Sequence, residues 1–242
     1  MNNKKLVEST ISDFRIKHYD EWMNNYTKKD QELFRMMIDE INHLGYDVHY
    51  YFEIEDLLEL DRRIGSVILR FIGKFDNPGA TETLMRYLGH NGFYEATPFI
   101  LYEFRRDDVI IPESRKKWEK QDKKNYRESA SVALREIKDP RYVDDYIELI
   151  NNPSTHNDCF NIIQLLGILK IKSELQLLFS LLDDKNPYIQ CASIIALSYF
   201  KNNKDACFHI RSFLLSDNKM LRQHAKRALS KLGCVEKRKA PL

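Results

Sequence analysis

The sequence predicts an all-α protein: about six two-helix repeats stacked into a right-handed α-α superhelix, an α-solenoid, behind an N-terminal helical cap. Three observations predict it. A twelve-residue template recurs six times at steps of 31 to 33 residues. Within each copy, apolar and small residues follow the period of an α-helix. The chain also holds only 8 glycines and 7 prolines in 242 residues, about half the usual frequency. That is too few turn-formers for a many-stranded β fold.

In chain order, residues 1 to 46 do not fit the template. Leu33, Phe34, Met37, Ile38 and Ile41 make a helical stripe, and Phe14, Tyr19, Trp22 and Tyr26 add aromatic mass. They are assigned to a cap, because a terminal repeat needs its open face covered. The template copies begin at 61, 93, 126, 158, 189 and 221, and end at Ile72, Phe104, Ile137, Leu169, Phe200 and Leu232. Small residues at the fifth position (Gly65, Ala130, Ala225) or the eighth (Ala133, Ala196, Ala228) let a neighbouring helix approach closely. Shorter amphipathic stretches at Thr83–Leu88, Val143–Ile150, Leu175–Leu182 and Phe208–Leu215 supply the first helix of each pair. Asn77-Pro78, Asp139-Pro140 and Asn186-Pro187 each read as an N-cap followed by proline at the first helical position. A pair of helices cannot bury both apolar faces alone, so the pairs stack. The boundaries are then 1–46 for the cap, 47–234 for the array and 235–242 for a basic tail.

Several function classes drop out on composition and motif. No apolar run reaches 18 residues, which excludes a transmembrane helix, and Leu6-Val7-Glu8-Ser9 gives no leader core. Cys159, Cys191, Cys207 and Cys234 show no CxxC spacing, so four reduced thiols and a cytoplasmic location are expected. Phosphate-loop, nucleophile-elbow and zinc-protease motifs are absent; Gly73-Lys74 lacks both its upstream glycine and a following Ser or Thr. Glu40-Ile41-Asn42-His43 is a single ExxH, whereas a di-iron bundle uses two plus further carboxylates. No catalytic residue, metal or cofactor is therefore expected.

Net charge is only +2, yet the charges are segregated. Met36 to Asp61 carries eight acids and no Lys or Arg; Arg115 to Arg127 carries seven bases, and Lys219 to Lys239 eight. Trp118 and Tyr126 interleave with the first basic run, a mixture that can neutralise phosphates and stack bases.

The stretch Ala133-Leu134-Arg135-Glu136-Ile137-Lys138-Asp139-Pro140-Arg141-Tyr142-Val143 resembles the helix-loop-helix junction of short bacterial HEAT repeats of the PBS-lyase-like type. Arg127 and Arg222 sit where that family carries an arginine after the first apolar residue. Asp184-Lys185-Asn186-Pro187-Tyr188-Ile189 is similar to its inter-repeat turn. The resemblance covers about 47 to 234 and departs at Cys159 and Gln190, where the arginine is missing, and in the polar stretch 107–125. It implies a cytoplasmic binding module, and only by resemblance a bacterial adaptor or immunity role. HEAT-like DNA glycosylases make a nucleic-acid binder or glycosylase-like enzyme, using 115–127 and 219–239, the alternative. The His-Glu dipeptides of HEAT-repeat hydroxylases do not occur, and no residue supports tetrapyrrole lyase chemistry.

At 100° per residue, template positions three, six and ten point outward if one, five, eight and twelve point in. In HEAT arrays the second helices line the concave face. Its ends are then polar: Arg63, Ser66 and Arg70; Glu95, Pro98 and Tyr102; Glu128, Ser131 and Arg135; and, at the far end, Gln223, Lys226 and Ser230. Its middle, built from Phe160, Ile163, Gly167, Cys191, Ile194 and Ser198, is an apolar floor. The expected function is a non-catalytic protein-protein interaction module that grips a protein or peptide through Phe160, Ile163, Ile194, Arg63, Arg70, Tyr102 and Arg135. The sequence leaves the oligomeric state open.

Overall fold

The computed structural model describes residues 18–110, 116 and 119–234, and among these it holds thirteen α-helices, short 3-10 turns and no strand. The chain divides into two compact units, Met1–Ile137 and Lys138–Leu242. Phe14, Arg115, Lys117, Trp118 and the tail 235–242 lie outside the described residues, as does the side chain of Trp22.

The first unit contains α1 (Tyr19–Met23), α2 (Lys28–Asn42), α3 (Ile54–Leu58), α4 (Arg62–Phe71), α5 (Pro78–His90), α6 (Thr97–Arg105) and α7 (Glu119–Ile137). The Thr27 side chain caps α2 by accepting from the Asp30 N–H at 3.0 Å. The stripe of Phe34, Met37, Ile38 and Ile41 is buried, and α2 packs on α4. Asp30 is also buried, its Oδ1 accepting from the Asp76 N–H at 2.8 Å. That bond fixes the loop leading into α5. Asp61 caps α4 and Asn77 caps α5 ahead of Pro78. Helix α3 packs on α4 and α5, while α7 packs on both α5 and α6. A Cβ at Gly89 would lie 2.7 Å from the Ala133 Cα, so α5 and α7 approach closely there.

Around the third template copy the helix is longer than the template, because residues 119–125 run straight into α7, a 19-residue element. Tyr126 holds it in place: the ring is buried and the hydroxyl donates to the buried Glu103 carboxylate on α6. Arg106 donates to the same carboxylate at 2.9 Å, so the buried charge is paired.

The second unit contains α8 (Val143–Asn151), α9 (Phe160–Leu169), α10 (Leu175–Ser180), α11 (Pro187–Leu197), α12 (Lys204–Arg211) and α13 (Lys219–Leu232). Each shorter helix packs on the longer one that follows it: α8 on α9, α10 on α11, α12 on α13. The longer helices also pack in series, α9 on α11 and α11 on α13. Ser193, fully buried on α11, is satisfied by donating to the Leu178 carbonyl of α10. Asn186, Asn203 and Asn218 cap the helix starts, and Gly233, at φ 81°, closes α13 in the left-handed conformation glycine favours.

Candidate binding surfaces

On α4, and on α6 with the 3-10 turn before it, the outward positions are as the helical wheel places them, with Arg63, Ser66, Arg70, Glu95, Pro98 and Tyr102 all exposed. The two arginines are nonetheless engaged within the unit. Arg63 folds back on its own N-cap, with Nη2 2.6 Å from the Asp61 carboxylate. Those hydrogen bonds hold the Asp61 carboxyl below its usual range, against the opposing effect of burial. Arg70 pairs with Glu40 of α2. Tyr102 is 60% exposed, with the Arg106 guanidinium 5.9 Å from its ring centroid.

Arg135 is half-buried, and Ser131 is buried outright. Arg135 lies 3.8 Å from the carboxylate of Glu136, which stands 3.2 Å from His90 Nε2; the other ring nitrogen of His90 is 2.7 Å from Glu55. This chain of polar contacts ties α3, α5 and α7 together. Among the described residues no group of three or more His, Cys, Asp or Glu has the arrangement to hold a metal ion.

The apolar floor is overturned. Ile163 and Ile194 are 0% exposed, Cys191 and Ser198 are buried, and Phe160 is half-buried. Contact between neighbouring helices is the reason. A Cβ at Gly167 would lie 2.4 Å from the Ala196 carbonyl oxygen, so the face of α9 expected to meet solvent meets α11 instead. Helix α11 packs on α9, α10 and α13, which leaves it only a narrow open edge. The side chains on that edge are Tyr188, 62% exposed, with Ile195 and Tyr199 half-buried.

Helix α13 keeps its outward positions: Gln223, Lys226 and Ser230 are exposed. So are Lys219, Arg227 and Lys231. Lys231 Nζ lies 3.2 Å from the centroid of the Tyr199 ring. Burial, and then the charge of Lys201, push the Lys231 ammonium below its usual value. Burial followed by the charge of Arg227 does the same to His224. The other basic segment is partly neutralised, since Lys123 pairs with Glu119 and Arg127 with Asp107.

The expectation of four reduced thiols also fails. Cys207 and Cys234 form a disulfide with Cα atoms 6.0 Å apart, within the usual range, while Cys159 and Cys191 are buried and outside that disulfide. The two partners are 27 residues apart, and only the packing of α12 against the end of α13 brings them together. No helix among the described residues is long and apolar enough to cross a membrane.

Sequence reasoning missed Tyr188, Tyr199 and Lys201, and had Lys231 only as one base of the run 219–239. A signal was available, because Tyr199 and Lys231 occupy the same position of successive template copies. No protein-family model and no curated protein matches this chain.

Proposed function

We propose that the chain is a right-handed α-solenoid of HEAT-like repeats that acts in the cytoplasm as a non-catalytic protein-binding module. Support for the architecture comes from two independent quantities that agree. The sequence repeats at about 32 residues, and helices α4, α6, α7, α9, α11 and α13 fall on the template copies. The serial packing of α9, α11 and α13, each backed by the short helix before it, is how stacked helix pairs bury their faces.

The binding role rests on Tyr102. Tyr102 is 60% exposed on a helix face beside Arg106, and tyrosine and arginine are both enriched at the anchor points of interfaces. Because Ile163 and Ile194 are core, recognition is assigned to the first unit, with Tyr102 as anchor and Arg63 and Arg70 as polar contacts. The test compares wild type with Tyr102→Ala and Arg63→Glu in affinity capture from the native host. A protein retained by wild type and lost from both variants, whose circular dichroism is unchanged, supports the reading. Equal retention by all three chains overturns it.

A further inference from the structure

From Tyr199 to Cys234 the chain carries eight lysines and arginines against Asp205 and Asp217, and among the described residues no carboxylate pairs with any of the eight. Arg211 and Arg222 turn to backbone, donating to the carbonyls of Cys234 and of Ser216 and Asp217. The other six face water. Cations gathered without counter-charges leave a positive potential that an anion relieves.

The arrangement of these cations is specific. Tyr188, Ile195 and Tyr199 stand at i, i+7 and i+11 on α11 and the turn after it, a spacing that keeps them on one stripe. The Lys231–Tyr199 contact joins equivalent positions of successive template copies on α11 and α13, and Arg227 occupies in its copy the position that Ile195 occupies in the one before. A row of aromatic and aliphatic side chains therefore runs beside a row of cations. The end of that row is braced: the Asn202 N–H donates to the Leu232 carbonyl at 3.2 Å, and the Cys207–Cys234 disulfide pins the residues just beyond. Lys201 is carried on the same braced turn, next to Asn202.

We propose that this face binds single-stranded nucleic acid, with Arg227, Lys231 and Lys201 neutralising backbone phosphates and Tyr188 offering a ring on which a base stacks. The two rows decide the class of partner. An acidic polypeptide would use the cations and leave the aromatic row idle, and a duplex keeps its base faces stacked inside. A single strand uses both. This surface belongs to the second unit, whereas the protein-binding face proposed around Tyr102 belongs to the first.

Fluorescence anisotropy of a labelled oligothymidylate tests it with the full chain, at salt concentrations from 50 to 200 mM, on the order of the range over which phosphate contacts weaken measurably. Wild type should bind, with log K falling linearly in log salt. Arg227→Glu with Lys231→Glu should weaken binding on the order of tenfold or more and flatten the slope by about 1.4, at about 0.7 per phosphate contact on a single strand. Tyr188→Ala should weaken binding on the order of tenfold and leave the slope unchanged. Should the charge reversals perturb the helical signal, Arg227→Gln with Lys231→Gln replaces them and must still flatten the slope. Absence of binding at the lowest salt overturns the proposal. So does an affinity for a duplex or for polyglutamate equal to that for the strand, or a Tyr188→Ala variant that binds as wild type.

Discussion

Replacing Gly167 by alanine sets a local rule against a tertiary contact. Gly167 lies in the interior of α9, where alanine is favoured over glycine by about 1 kcal/mol. Propensity alone therefore predicts a more stable protein. The structure predicts the opposite, because the new Cβ would lie 2.4, 2.5 and 2.7 Å from the carbonyl oxygen, Cα and carbonyl carbon of Ala196. Ordinary contact between carbon atoms is about 3.5–4.0 Å, so the two helices must separate by roughly 1 Å. A gap of that size forfeits a quarter to a half of the dispersion energy of the atoms lining it. Those atoms belong to the most buried residues of the second unit, among them Ile163, Leu166, Ile194 and Leu197. Overpacking of this kind costs about 1–3 kcal/mol, and a backbone obstacle cannot rotate away as a side chain can, so the upper end applies. Subtracting the propensity gain leaves a net loss of about 2 kcal/mol, or about 4–8 °C in melting temperature for a chain of this size. Urea and thermal unfolding followed by far-UV circular dichroism would measure it. Ala196→Gly should not rescue the variant, since the obstructing atoms are main chain. Gly65→Ala is the contrasting case: its Cβ would meet the Phe93 ring at 2.4 Å, and its cost should shrink in a Phe93→Leu background. A Gly167→Ala protein that melts higher than wild type would refute the close approach of α9 and α11.

Ile194→Asp should bury an unpaired carboxylate in a site with no exposed surface and cost several kcal/mol, enough to abolish the cooperative transition of a marginal unit; a well-folded variant would restore the apolar floor as a surface. Thiol titration should find two reactive cysteines in denatured, unreduced protein and four after reduction. In native protein, Cys191 should resist alkylation at pH 8, since burial pushes its thiol up to about 11. Reducing the disulfide should lower stability by about 3.5 kcal/mol for a loop of 27 residues, and an unchanged melting temperature would count against the pairing.

Much of the fold was legible because its signals are local. Asn77-Pro78 and Asn186-Pro187 start helices where an asparagine side chain can cap free N–H groups and proline has none to lose. The stripe from Phe34 to Ile41 is buried, as are the small residues Ala130, Ala133, Ala196, Ala225 and Ala228, because spacing along the chain fixes which residues share a helix face. That same rule placed the exposed positions of α4, α6 and α13 correctly. It failed on α9 and α11 for a physical reason. Periodicity sets the angle of each side chain about its own helix axis and says nothing of how many neighbours surround that axis. Helix α11 is packed by α9, α10 and α13, so the stripe carrying Ile194 is enclosed, and only the edge with Tyr188, Ile195 and Tyr199 meets solvent. The pairs Arg70 with Glu40, Tyr126 with Glu103 and Cys207 with Cys234 were beyond the sequence for a related reason. Each joins groups 23 to 30 residues apart, and whether two such groups meet depends on how the intervening helices pack, which no local pattern encodes.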